Sequence, residues 1–187
     1  MGKELIADAI YRTKFPGGKA FIKVNCASIP ASLFESELFG YERGSFSGAN
    51  ASGKQGLFEA ANNGTLLLDE IGEMPMDMQA KLLRAIQNNE ITRVGGIRPI
   101  KLDIRYIAST NCDLKKKVRE GTFRSDLYYR LHVIPIQVPP LREREGDVAR
   151  LSQHFVSEFN KQYHKKCGAL PGEHRVIGKL LLAGQYP

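Results

Sequence analysis

The chain has 187 residues, 42% of them hydrophobic and 25% charged, with a formal net charge of +7. A chain of that length buries a core without disulfide or metal staples, and its composition excludes a disordered tail or a collagen-like repeat. Its longest aliphatic stretch is Leu66-Leu67-Leu68, far short of the ~20 apolar residues that span a bilayer.

Met1-Gly2-Lys3-Glu4 opens no apolar leader, so no secretory signal is read. Cys26, Cys112 and Cys167 are odd in number and scattered, with no paired spacing for zinc or redox chemistry. A reduced, cytoplasmic setting and no membrane partner are expected. The positive charge permits contact with nucleic acid or an acidic protein and establishes neither. The densest basic cluster, Lys115-Lys116-Lys117 with Arg119, is flanked by Asp113 and Glu120 and reads as a solvated helix face.

In chain order, Leu5, Ile6, Ala9 and Ile10 are spaced for one face of a helix over 3–11. After Pro16-Gly17-Gly18, the run Ala20-Phe21-Ile22-Lys23-Val24 predicts a strand. Residues 40–56 hold five glycines and three serines, with Phe46 near the centre, and read as a long functional surface loop. Leu66-Leu67-Leu68 has the continuous apolar character of a buried parallel strand. Pro75 suits the first turn of a helix with the stripe Met78, Leu82, Leu83 and Ile86. Ile91 to Val94, Gly95-Gly96 and Ile97 onward predict a hairpin, and 104–108 and 133–138 two further strands. Asp147 is placed as the cap of a helix carrying Val148, Leu151, Phe155 and Phe159. Strands alternating with helices predict an α/β domain with a mostly parallel sheet.

Asp69-Glu70, directly after the apolar strand, places two carboxylates at a strand end, pointing in different directions. One can bind Mg²⁺, directly or through water, while the other polarises an attacking water. A solvated strand end is the plainer alternative. Upstream, Gly2-Lys3 is all that matches a phosphate-cradling Gly-x-x-x-x-Gly-Lys-Ser/Thr loop, and its value lies in opening a helix.

Asn25 and the triplet Ser109-Thr110-Asn111 end two other strand candidates, on the side where parallel sheets gather ligands. Either asparagine can align a water or simply hold its turn. Arg124 and Arg130 suit phosphoryl charge presented to a neighbouring subunit, or pair within the chain with Asp126 or Glu120. His164, Cys167 and His174 match a metal cluster only loosely and are read as surface residues.

Taken in order, several segments resemble the sigma-54-dependent transcriptional activators, the bacterial enhancer-binding proteins. Leu38 to Ala49 is similar to the family's hallmark loop, whose usual core GAFTGA here reads Gly44-Ser45-Phe46-Ser47-Gly48-Ala49. Gly64 to Ile71 resembles the Walker B strand, Arg93-Val94-Gly95-Gly96 the hairpin before sensor I, and Ser109-Thr110-Asn111 sensor I. Phe123 to Leu131 resembles the arginine-finger segment, and Pro139 to Arg144 the stretch after it. The resemblance runs from Gly2 to about Phe159.

The resemblance implies an AAA+ ATPase fold, a P-loop type parallel sheet flanked by helices, over 1–143, with the start of a helical lid over 144–187. It implies ATP and Mg²⁺ as cofactors, held by Gly2, Lys3 and Asp69 and met by Glu70 as the water-polarising carboxylate. Asn25 would restrain Glu70, Asn111 would sense the γ-phosphate, and Arg124 and Arg130 would reach over from a neighbour in a ring, usually a hexamer. Gly44, Ser45, Phe46, Ser47, Gly48 and Ala49 would contact sigma-54 and drive remodelling of the RNA polymerase holoenzyme at the closed promoter. Ser47 keeps a hydroxyl where the family has threonine, Ser45 adds one, and weakened coupling is expected.

Against the family pattern, the first strand and the GESGT-like residues expected before Gly2 are absent. So are the WPGN-type motif and sensor II arginine expected near the end, and Arg175 takes no role. The chain is therefore read as truncated at both ends, with DNA contacted only through domains not in it. The competing readings are an inert module that keeps the sigma-54 contact loop, and direct nucleic-acid binding through the net charge, which salt would weaken steeply.

Overall fold

The computed structural model describes residues 2–15, 18–45 and 52–166. Leu66 and Leu68 are fully buried and Leu67 is 1% exposed, so their strand needs a neighbour on each edge and a layer on each face. Both edges are filled. β4 (Thr65–Asp69) runs parallel to β1 (Phe21–Asn25) on one side and to β7 (Arg105–Ala108) on the other. Asn25 stands opposite Asp69, and Ala108 opposite Leu68. All three strands therefore end on the same side of the sheet.

Helix α4 (Met76–Asn88) begins after Pro75, whose fixed φ and missing N–H suit a helix start. It buries Met78, Leu82, Leu83 and Ile86, the stripe the spacing predicts, together with Gln79 and Ala85. The core joins them to Val24, Phe34, Leu38, Phe58, Leu66 and Leu68, and to Phe123 and Leu127. These residues come from β1, β4, α2 (Ala31–Phe39), α3 (Leu57–Ala60), α6 (Ser125–Leu131) and the turn before α6. The short helix α5 (Leu114–Arg119) is capped by Asp113, whose carboxylate accepts from the Lys116 N–H at 3.1 Å.

α1 (Lys3–Lys14) forms where the spacing places it but is turned about its axis. Ala7 is its buried residue, while Leu5 is 70% exposed and Ala9 is also exposed. The sheet selects the other stripe through specific bonds. Arg105 donates to the Ile10 carbonyl at 3.2 Å, Lys23 pairs with Asp8, and the Tyr11 ring stacks on Phe21 with centroids 4.5 Å apart.

The glycine-rich stretch has a short stem. β2 (Gly40–Tyr41) pairs antiparallel with β3 (Lys54–Gln55). Gly40 has φ 74, and a Cβ there would stand 2.6 Å from the Gly56 nitrogen, so glycine is required. β5 (Glu90–Ile91) and β6 (Ile100–Lys101) form the predicted hairpin, with arms of two residues. Val94 bridges to Tyr41 rather than across that hairpin.

Residues 133–138 are not a strand. Val133 and Ile134 are exposed, and no strand among the described residues pairs with the segment. β-branched propensity without a ladder does not make a strand.

The chain falls into two compact units, Lys3–Pro135 with the sheet, and Ile136 onward with the first two residues. The second contains α7 (Asp147–Gln162), whose cap is Gly146 at φ 80. The expected cap, Asp147, is instead the first helical residue, where its charge complements the helix dipole. None of the α7 residues is buried, and Phe155, Phe159 and Tyr163 are exposed. No helix among the described residues is long and apolar enough to cross a membrane.

Candidate functional site

Asp69 closes the central strand, and Glu70 turns out of it with φ 51 and ψ 47, a left-handed conformation. For a residue with a Cβ that geometry costs roughly 1–2 kcal/mol, so neighbours must hold it. The Ile71 N–H donates to the Ser109 carbonyl at 3.0 Å, and the Ser109 N–H to the Leu68 carbonyl at 2.9 Å. The turn after β4 is thereby fastened to the end of β7.

The side chains converge in the same place. Glu70 Oε1 accepts from Lys3 Nζ at 3.3 Å, and Oε2 from the Asn111 N–H at 2.9 Å. Ser109 Oγ donates to Asp69 Oδ1. Lys3 and Glu70 are 23% and 19% exposed, so the pair is only partly screened by water. Beneath it lies Cys26, whose thiol is pushed up to about 12 by burial and next by the charge of Asp69. Fold and sequence thus bring together Lys3, Asp69, Glu70 and Asn111, at the edge where open parallel sheets bind ligands.

Asn25 sits beside this group without touching Glu70. Its Oδ1 accepts from the Ala27 N–H at 2.9 Å and caps the turn after β1, so the turn-holding alternative is the one formed here. Among the described residues no hydrogen bond links Asn25 to Glu70. The Asn111 side-chain amide has none either. Gly2 has φ 99, a conformation glycine supplies without strain.

The arginines lie on α6. Arg124 caps it, and its guanidinium grips Asp126 through two bonds of 3.0 and 2.7 Å. Those bonds hold the Asp126 carboxyl below its ordinary range and raise the Arg124 pKa. Arg130 donates to the Ile86 carbonyl at 3.2 Å. No bond joins either arginine to Lys3, Asp69 or Glu70.

Two contributors escape the sequence reading. Ser109 was visible only as part of a triplet, yet it joins Asp69 to β7. Gln79 is fully buried in the apolar stripe of α4. Its Nε2 donates to the Met74 and Thr122 carbonyls, and its Oε1 accepts from the Arg124 N–H at 2.8 Å. A polar residue between Met78 and Leu82 was the available signal.

Of the loop predicted to contact a partner, Gly44 and Ser45 are described, while Phe46, Ser47, Gly48 and Ala49 lie outside the described residues. Gly44 has φ 73. The loop stem meets the turn at Gly95, which has φ 73, and Arg93 pairs bidentately with Glu59, both bonds 2.7 Å.

A parallel sheet flanked by helices, with a lysine-bound carboxylate at the end of its central strand, makes this an α/β domain, and its match to NtrX places it in the AAA+ fold. Residues 1–137 match the sigma-54 interaction domain, and the chain belongs to that family. It is 58% identical over 161 residues to the regulatory protein AtoC of Escherichia coli, covering 86% of this chain and 35% of that protein. It is also 58% identical over 155 residues to a signal-transduction and transcriptional-control protein of Clostridium beijerinckii, covering 83% of this chain and 24% of that protein. The crystal structure of NtrX from Brucella abortus in complex with ADP superposes with a TM-score of 0.85 at 36% identity, over 99% of this chain and 39% of NtrX. The chain thus spans well under half the length of these relatives.

Proposed function

We propose that the chain binds ATP at the shared carboxyl ends of β1, β4 and β7, hydrolyses it, and uses that cycle to remodel the closed sigma-54 RNA polymerase holoenzyme at a promoter. The observation that carries the reading is the Glu70 carboxylate held between Lys3 and the Asn111 amide. The similar NtrX is known in complex with ADP, which supports nucleotide binding by this fold. Lys3 neutralises phosphate charge, and Gly2 opens the approach to it. Once Lys3 turns to phosphate, Glu70 Oε1 is free to accept a proton from water, Asn111 presents its side-chain amide to the γ-phosphate, and Asn25 restrains Glu70 until a partner contact releases it.

The donor set fits Mg²⁺. Asp69 is a hard oxygen ligand, one oxygen held by Ser109 and the other without a protein partner among the described residues. Mg²⁺ keeps several waters and is bound through one or two carboxylates plus substrate oxygens, so a single Asp69 carboxylate is a sufficient protein ligand. Bound there, Mg²⁺ would supply charge neutralisation between phosphate oxygens.

Arg124 and Arg130 act on the nucleotide of an adjoining protomer in a ring, most simply a hexamer, and Phe46 with its neighbours Gly44 to Ala49 meets sigma-54. DNA is reached through domains outside this chain. The deciding experiment is ATP hydrolysis per protomer as a function of protein concentration, beside Glu70→Gln. Turnover that rises with concentration and is lost in the variant supports the reading; turnover equal in both overturns it.

A second reading is an interaction module that keeps the sigma-54 contact loop without turnover. It is favoured by Arg124 being tied to Asp126 and by both Glu70 oxygens being occupied. Sigma-54 binding that is independent of ATP, with no hydrolysis at any concentration, would establish it.

A further inference from the structure

We infer that Gly72 is a positioning residue for the Glu70 carboxylate: its bare backbone is the surface on which Thr110, Cys112 and Leu114 pack, and that close approach carries the Asn111 N–H onto Glu70 Oε2. The inference deepens, and rests on, the reading of Glu70 as the carboxylate that polarises water.

The turn after β4 and the segment after β7 meet with nothing between them. Gly72 is buried, and a Cβ there would stand 2.5 Å from Cys112 Sγ, 3.2 Å from Thr110 Oγ1 and 3.3 Å from Leu114 Cδ2. Glycine is the residue that lets another part of the chain approach a backbone so closely. The three atoms belong to alternate residues of one segment, so Thr110 and Leu114 still meet a Cβ when the thiol turns aside. Cys112 is also held where it lies. Its Sγ is 3.0 Å from Thr110 Oγ1, and that oxygen accepts from the Cys112 N–H at 3.2 Å. Asn111 stands between Thr110 and Cys112, and its N–H is one of the two donors that engage Glu70.

Both partners in the contact are fastened. On one side the Ile71 N–H donates to the Ser109 carbonyl at 3.0 Å. On the other, Lys117 Nζ donates to the Gly72 carbonyl at 2.7 Å and to Glu73 Oε1 at 2.8 Å. The Glu73 N–H closes the turn on the Glu70 carbonyl at 3.0 Å. Ser109 and Lys117 thus tie residues 110–114 to the turn at both ends, and the segment cannot slide away as a unit. Overpacked sites relieve themselves by local backbone shifts, and here the shift falls between the two ties, where it lifts the Asn111 N–H from Oε2. Glu70 is then left with one donor and is free to turn about its own side chain.

The test compares the parent chain, Gly72→Ala, Cys112→Ala and the double variant Gly72→Ala with Cys112→Ala. Amide hydrogen exchange at Asn111 reads the contact, and ATP turnover reads its use. In Gly72→Ala the Asn111 amide exchanges about tenfold faster or more, the size of one lost hydrogen bond to a charged acceptor. Turnover falls by about tenfold to a hundredfold, as for a reacting group displaced by about 1 Å. Affinity for ADP, which has no γ-phosphate for Asn111 to meet, stays at the parent value. The double variant lacks the nearest opposing atom, and both exchange and turnover return toward those of Cys112→Ala alone. Unchanged Asn111 exchange in Gly72→Ala overturns the inference, as does a double variant no better than Gly72→Ala. Faster exchange with unchanged turnover overturns the positioning role. If Gly72→Ala does not fold, the double variant decides: folding regained with slow Asn111 exchange supports the contact, and folding still lost overturns it. Should the parent chain show no turnover, the reading of Glu70 alone fails, and exchange still decides whether Gly72 seats Asn111 on it.

Discussion

Lys3 Nζ donates to Glu70 Oε1 at 3.3 Å while the Asn111 N–H donates to Oε2 of the same carboxylate at 2.9 Å. Both oxygens of that carboxylate are therefore engaged by protein donors. Phosphate oxygens compete for the same ammonium, so nucleotide entry would release Oε1 at the moment a base is needed.

That exchange separates two variants. Lys3→Met loses the cation that meets phosphate, and ATP affinity, measured with a fluorescent nucleotide, falls by at least about tenfold. Glu70→Gln keeps Lys3 and keeps affinity, while turnover falls by about 10²–10⁴, the usual worth of a general base. If Glu70→Gln turned over like the parent, Glu70 would not be the base.

Arg124 is gripped by Asp126 in this structure, and a neighbouring protomer's nucleotide would have to win it from that pair. Arg124→Ala should lower turnover by about 10³ or more if its charge meets the transferring phosphoryl group. Mixing Arg124→Ala with Glu70→Gln protein regains part of the activity, because some interfaces then combine an intact Glu70 with an intact Arg124. A mixture as inactive as its two components would place both residues in the same protomer's site.

How much was legible follows from how local each signal is. Leu66-Leu67-Leu68 and the Met78–Ile86 stripe carry their own periodicity, and β4 and α4 form as read. The position of Asp69 and Glu70 at the end of β4 was legible because they directly follow the apolar run. The face of α1 was not, since Arg105, Lys23 and Phe21 choose between two adjacent stripes and all lie elsewhere in sequence. For the same reason 133–138 misled: strand formation depends on a neighbour, which composition does not reveal. Asn25 and Arg124 each had two readings, and the backbone N–H of Ala27 and the carboxylate of Asp126 are the nearer partners.

Gln79 joins the helix after the Asp69-Glu70 strand end to the backbone of Arg124. Gln79→Leu keeps the volume and leaves the Met74 carbonyl and the Arg124 N–H without that partner. Orphaned buried groups cost about 1–3 kcal/mol each, and a chain of this size loses about 2–4 °C in Tm per kcal/mol. A fall of roughly 4–24 °C by calorimetry is expected, with turnover falling further than in an equally destabilised core variant because Arg124 is displaced. Equal losses would make Gln79 a purely structural residue.

Cys26 and Tyr106 set the alkaline limit of stability. Burial pushes the Cys26 thiol from 9.0 to about 12 and the Tyr106 phenol from 10.0 to about 12, so both stay neutral in the folded chain. The unfolded chain ionises them from about pH 9 and 10, and between those values and 12 it binds fewer protons than the folded chain. Stability therefore falls as pH rises above about 9, by linkage. Tyr106 Oη is also buried without a partner, so Tyr106→Phe removes an unmet hydroxyl and should gain about 1 kcal/mol at neutral pH. Urea unfolding of the parent, Cys26→Ala and Tyr106→Phe between pH 7 and 11 separates the two groups. Each variant should flatten the decline, Cys26→Ala from about pH 9 and Tyr106→Phe from about pH 10. A decline unchanged in both variants would mean that neither group is shielded in the folded chain.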